Sequence, residues 1–367
     1  VQLFQCQCCG QVLHFENTTC LRCGRPVGYL PGANRMVAVE ADGSVWHAAR
    51  AEAGPATLPQ ETALRFCRNW ELTGCNWMLL APEGDEAAAG GYCRACRHNR
   101  TVPDLTDPLH HARWQKIETA KRRLFYSLLR LGLPLPLPGS GHPEPLVFDF
   151  LADDPGAARR VMTGHSGGVV TIALSEADDA AREATRARMG EAYRTLLGHF
   201  RHEIGHYYWD LLVRGGGAIS AFRAVFGDET QDYHAALDRH YGGPPPAGWE
   251  GTHVSAYATV HPWEDWAETW AHYLHMVDTL ETAAAFGMTI DPPADGDGEL
   301  SAEIDFNPYR TRRLSRLIAA WMPLTVALNA LARSVGQGDL YPFVLPAPVL
   351  EKLGFVHGLV AVTRAQA

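Results

Sequence analysis

LGHFRHEIGHYYWD, residues 197–210, decides the reading of this chain. Tyr193, Leu197, Phe200, Ile204, Tyr208 and Leu211 fall at helical spacing, so a helix is expected from Glu191 to Arg214, ended by Gly215 to Gly217. Inside it, His202-Glu203-Ile204-Gly205-His206 is an H-E-x-x-H motif. Residues i and i+4 share a helix face, so both imidazoles can reach one ion, and Glu203 beside them can accept a proton from a water on that ion. The plain alternative is a helix with two solvent-facing histidines. Against it stands the apolar periodicity around the motif. Gly205, about 1 kcal/mol worse than Ala inside a helix, also asks for a close-packed neighbour.

A catalytic zinc commonly has three protein ligands and one open position. The extended metzincin pattern needs Gly at 209 and His at 212, where this chain has Trp209 and Leu212. Thermolysin-like spacing falls near Phe226; Glu229 is close, but in a Gly-Asp-Glu-Thr turn. The better candidate is Glu264 in HPWEDWAETWAHYLH, residues 261–275, a helix opened by Pro262 and expected to run to about Leu280. His261 and Asp265 are its adjacent competitors. Glu268, one turn further, is placed to accept a hydrogen bond from a ligand imidazole and fix its tautomer. His199 reads as an exposed helix histidine, and His272 and His275 as peripheral or core residues.

All nine cysteines lie in the first 96 residues. Such clustering reads as metal ligation before disulfides. Cys6-x2-Cys9-Gly and Cys20-x2-Cys23-Gly are two knuckles separated by ten residues, the pattern of a structural zinc ribbon, with Cys8 left spare. Cys67, Cys75, Cys93 and Cys96 form a second set, in which only Cys93-x2-Cys96 has knuckle spacing; buried free thiols are its alternative.

The chain has 367 residues, 46% hydrophobic and 20% charged, enough for two or three domains. Its net charge of −9 argues against general nucleic-acid binding. Residues 1–100 hold nine Lys/Arg and nine Asp/Glu, so the cysteine module gains no such role either. Recruiting a substrate or protein partner, or capping the catalytic domain, is the expectation for it. There is no run of about 18 uninterrupted apolar residues, so no membrane span is expected. VQLFQCQCCG at the start does not read as a signal peptide, and a cytoplasmic location is expected.

The expected order is a zinc ribbon (1–30), a second four-cysteine module (31–100) with a hairpin at 36–47, and a helical linker (101–145). After these comes a catalytic domain (146–336) with strands at 146–150 and 169–174 and a helix at 308–334, then a C-terminal tail (337–367). Lys121-Arg122-Arg123 is expected on a solvated helix face. The fold class is α+β: zinc-ribbon modules ahead of a mainly helical, zincin-like domain with a small sheet.

Tyr257, Glu264 and Glu268 form Y-x6-E-x3-E after H-E-x-G-H. That pair of motifs resembles the catalytic core of the anthrax lethal factor and Pro-Pro endopeptidase group of gluzincins. The resemblance covers the active-site helices, and the gap between the motifs is longer here. It implies Glu264 as third zinc ligand and Tyr257 as the residue that stabilises the oxyanion. Over nearly the whole chain, CLRCGR, GCNW, CRAC, TVPDL, AKRRLFYSLLRLGLP, LGHFRHEIGHYYWD and HPWEDWAETWAHYLHMVDTLETA are similar to a bacterial family of zinc-ribbon, zinc-binding metallopeptidases. This resemblance implies peptide or protein hydrolysis with one catalytic zinc and one or two structural zincs. The rival readings are a non-catalytic zinc-ribbon scaffold and a zinc amidase acting on a non-protein amide.

Overall fold

The structure is a computed structural model. It describes residues 1–43, 45–53, 58–59, 62–81, 90–153, 156, 160–189 and 195–366. Tyr193, and the start of the helix expected from Glu191, lie outside them. The chain divides into two units, one of Val1–Leu129, Pro136–Met162 and Thr171–Ala177, the other of Arg130–Leu135, Thr163–Val170 and Asp178–Ala367.

The first unit begins with β1 (Phe4–Gln5) and β2 (Val12–Leu13), an antiparallel pair. A five-stranded sheet comes next, β3 (Val27–Leu30), β4 (Arg35–Asp42), β5 (Val45–Ala48), β6 (Ala63–Phe66) and β7 (Met78–Leu80), ordered as in the chain. Neighbouring strands are antiparallel. The expected hairpin is β4–β5, with Asp42 opposite Val45. A bridge between Tyr29 and Trp77 brings β7 back beside β3. Alternation along the strands buries Leu30, Val37, Val39, Ala48, Leu64 and Met78 in one core. A second cluster joins Phe15 to Tyr29, Trp77 and Tyr126, with ring centroids 4.9, 6.2 and 5.2 Å from Phe15. β8 (Asn99–Thr101) runs parallel to β9 (Val147–Leu151).

Tyr126 belongs to the helix Pro108–Leu131, whose first turn is capped by Asp107, the acceptor from Leu109 N at 2.8 Å. That helix buries Trp114, Ile117, Leu124, Phe125 and Leu128. Its basic run departs from the solvated face expected for it. Successive helical residues differ by about 100°, so three in a row cannot share one face. Arg123 alone turns outward, to Glu16 at 2.6 Å. Lys121 is fully buried and bonds Glu118 Oε1 at 2.7 Å and Asn99 Oδ1, while Arg122 is buried beside the second cysteine set.

The second unit is mainly helical. Among the described residues its α-helices are Asp179–Met189, Leu196–Tyr208, Ile219–Phe226, Tyr233–Tyr241, Pro262–Ala285, Leu314–Ser334 and Ala347–Gln366, and Leu196–Tyr208 continues to Arg214, where its helix was expected to end, as the π-helix Trp209–Arg214. Where one helix was expected across 308–334, Pro308–Arg310 forms a 3-10 turn and Arg313 is extended before the α-helix opens at Leu314. The segment read as a tail holds the last of these helices. Val349, Leu353, Val356 and Val360 recur every three or four residues along it and are all buried. Leu314–Ser334 is long and apolar enough, by length and composition, to cross a membrane, with mean hydropathy 1.4. Leu317, Ala320, Trp321 and Leu324 on it are buried within the fold.

Candidate metal centres

The helix Leu196–Tyr208 starts where Thr195 Oγ1 accepts Gly198 N at 3.0 Å. It crosses the helix Pro262–Ala285 at Gly205. A Cβ there would lie 3.1 Å from Ala267 Cα and 3.2 Å from Trp270 Cβ, so glycine is what lets the two helices approach. Trp266 Nε1 donates to Gly205 O at 2.8 Å and fixes the crossing. The expected helix weakness at Gly205 is thus the contact that brings two motifs together.

His202 Nε2 and His206 Nε2 face each other at 3.2 Å. Glu264 Oε2 lies 3.0 Å from the first and 3.5 Å from the second. That oxygen is buried and makes no hydrogen bond of acceptable geometry. Three lone-pair donors that converge on one point around an orphaned carboxylate oxygen are a site for a cation, and two imidazoles with one carboxylate suit zinc. His261 and Asp265 point elsewhere. His261 accepts Trp263 N as the helix cap, and Asp265 pairs with Lys352 at 2.6 Å. Glu229 is bonded by Arg223.

The second layer is equally specific. His202 Nδ1 bonds Glu268 Oε1 at 2.7 Å, and Glu268 Oε2 accepts Ser255 Oγ at 2.6 Å. This carboxylate directs His202 Nε2 towards the other donors. Glu264 Oε1 accepts the Tyr233 hydroxyl at 2.7 Å, which holds the carboxylate with Oε2 towards the two imidazoles. Tyr257, on the 3-10 turn Tyr257–Thr259, has its ring 5.9 Å from that of His202. Burial opposes charge on His202, yet Glu264 and Glu268 raise its pKa well above the usual value. Burial likewise raises the Glu203 carboxyl, and the two imidazoles pull it back. Burial and Glu264 push Tyr257 up, so its phenol stays protonated. Substituting Glu268→Ala or Tyr233→Phe should weaken zinc affinity at this centre about 10–100-fold, measured by competition with a chelator. Wild-type affinity in both variants would contradict these roles.

Residues without a sequence signal of their own also support the centre. Trp263 packs on His206 at 4.0 Å between ring centroids. The Asp265–Lys352 pair is buried, and Lys352 also bonds Thr252 O at 2.7 Å. Burial raises Asp265 to about 7 against the pull of Lys352. Removing one partner of a buried pair strands the other, so Lys352→Met should cost about 3–5 kcal/mol of stability. Chemical denaturation checks this; a loss below about 1 kcal/mol, the range of an exposed pair, would show the pair to be dispensable.

The cysteines form two sets of four, each with sulfurs within 4.8 Å of one another. In the first, Cys6 and Cys23 are 3.9 Å apart and Cys9 and Cys20 3.5 Å. These separations are far beyond a disulfide bond. Gly10 and Gly24, after each knuckle, have φ of 75° and 72°, which glycine adopts without strain. Cys8 is buried but outside the set. In the second, Cys75 lies 3.8 Å from both Cys93 and Cys96. Arg122 is the nearby counter-charge: burial lowers its pKa, but Cys75, Glu118, Cys96 and Cys93 hold it above the usual value. Both sets fit structural zinc.

Comparison with known proteins agrees. Residues 110–359 match the family described as "Putative zinc-binding metallo-peptidase", and residues 3–107 match a zinc-ribbon domain. Uncharacterized proteins of Mycobacterium bovis and Mycobacterium tuberculosis are 41% identical over 363 residues, covering 97% of this chain and 94% of each relative. No solved structure matches. With its paired four-cysteine sets ahead of converging histidines and glutamate, the chain belongs to this zinc-binding metallopeptidase family, with an N-terminal zinc-ribbon domain.

Proposed function

We propose that the protein hydrolyses peptide bonds as a gluzincin-type zinc peptidase, with His202, His206 and Glu264 as ligands of one catalytic zinc and the eight paired cysteines as ligands of two structural zincs. The observation that carries the reading is the convergence of His202 Nε2, His206 Nε2 and Glu264 Oε2, with Glu203 on the same helix and Tyr257 beside His202. Zinc bound there supplies a Lewis acid and brings the pKa of a water to about 7.

The chain's own groups do the rest. Glu203 accepts the proton of the attacking water on a carboxylate oxygen and delivers it to the leaving amine. The Tyr257 phenol, kept neutral by burial, donates a hydrogen bond to the oxygen that gains charge. Glu268 and Tyr233 hold His202 and Glu264 in register. A peptide or protein substrate, a cytoplasmic location and recruitment of a protein partner through the cysteine unit complete the reading.

The test is a peptide-library digest read by mass spectrometry, comparing wild type with Glu203→Gln. New termini in the wild type alone are expected. Cleavage by both proteins would remove Glu203 from the chemistry, and cleavage by neither would favour the scaffold reading. Turnover of simple amides without cleavage of any peptide would favour the amidase.

A further inference from the structure

Residues 306–316 carry a second site. Arg310, Arg312, Arg313 and Arg316 line a concavity of about 440 Å³ together with Phe306, Asn307 and Thr311. In a chain with net charge −9, four guanidiniums within seven residues run against the average. Arg316 is partly committed: it pairs with Asp305 at 3.2 Å and lies over the Phe306 ring at 4.3 Å. Arg310, Arg312 and Arg313 have no carboxylate partner among the described residues. Like charges gathered this closely repel one another unless an anion joins them.

The backbone beneath them is pinned. Ile304, Pro308 and Tyr309 are buried. Arg130 lies over the Tyr309 ring at 5.3 Å, and Tyr309 O accepts Arg364. Arg312 O is bonded by His357 Nε2 at 3.0 Å. Thr311 N and Arg310 N close the 3-10 turn onto Pro308 O and Asn307 O. The four arginines therefore project from a fixed backbone, which lowers the ordering cost of binding.

The geometry points to this concavity as a binding site for a phosphate monoester dianion, separate from the metal centre. A single carboxylate has two oxygens and one charge, too few for three free guanidinium forks. A phosphoryl group offers three terminal oxygens and nearly two charges, and arginine forks match it in paired hydrogen bonds. Free phosphate and a phosphorylated side chain present this same chemistry.

Titration calorimetry of the zinc-loaded full chain with inorganic phosphate, O-phosphoserine and serine tests the proposal. Saturable binding of a phosphorylated probe but not of serine is expected, at least tenfold weaker in R312E/R313E and in R310E. It should strengthen as pH rises through about 6, where the monoester gains its second charge. Binding of inorganic phosphate as well as O-phosphoserine marks a site that reads the phosphoryl group alone. Binding of O-phosphoserine only marks one that also reads the phosphorylated residue. Undiminished binding in the charge-reversed variants, binding of serine alike, or no saturation by either phosphorylated probe overturns the proposal. All three substituted positions are exposed, so circular dichroism should report a native fold in each variant.

Discussion

Changing Glu203 to glutamine is expected to lower kcat/KM for a cleavable peptide by about 10²–10⁴-fold, the usual contribution of a general acid–base group. Glutamine keeps the shape and hydrogen-bonding reach of the side chain but cannot take a proton. The three donors that converge on the metal position do not include Glu203. Metal content at this centre should therefore be unchanged, and the loss should appear in kcat with KM near its original value. Steady-state kinetics beside zinc analysis of the same sample separates the roles. Turnover within threefold of wild type, with zinc retained, would sink the assignment; loss of zinc would place Glu203 in the metal's support.

Removing zinc from the cysteine sets should have a still larger effect. Binding at structural four-ligand sites is worth roughly 10–16 kcal/mol, against a total stability of about 5–15 kcal/mol for a domain. The first unit contains both sets, and its short strands β1 and β2 have little core of their own. Without metal, the mutually close thiols and the buried Arg122 and Glu118–Lys121 groups lose the ion around which they are arranged. Strong chelation is expected to abolish the cooperative unfolding of residues 1–129 and expose them to proteases, with recovery on adding zinc. Limited proteolysis and near-ultraviolet circular dichroism report this through Trp77 and Trp114. A unit that stays protected after its zinc is shown to be gone would make the cysteines ordinary core residues.

Much of the candidate site was legible because its signals are local. H-E-x-x-H needs only one helix turn, and Gly205 announced a close neighbour that proves to be Ala267 and Trp270. Pro262 marked the start of the helix that carries Glu264 and Glu268. What escaped depends on distance in sequence. Tyr233 reaches Glu264 across 31 residues, and nothing around Tyr233 marks it off from other tyrosines. The fate of Lys121 and Arg122 required knowing which helix face meets the cysteines. The last helix was obscured by composition: Pro342, Pro346 and Pro348 crowd the start of the segment taken as a tail, although proline is at home in a helix's first turn. The period of Val349, Leu353, Val356 and Val360 was visible behind them.

The Asp265–Lys352 pair has a consequence for the order in which the molecule is made. Every residue proposed for the metal centre leaves the ribosome before Lys352 does. Until that lysine arrives, Asp265, next to Glu264 in the chain, has no cation to share its buried position. The surroundings of the proposed catalytic centre are therefore complete only once the helix Ala347–Gln366, which carries Lys352, has packed against the helix Pro262–Ala285.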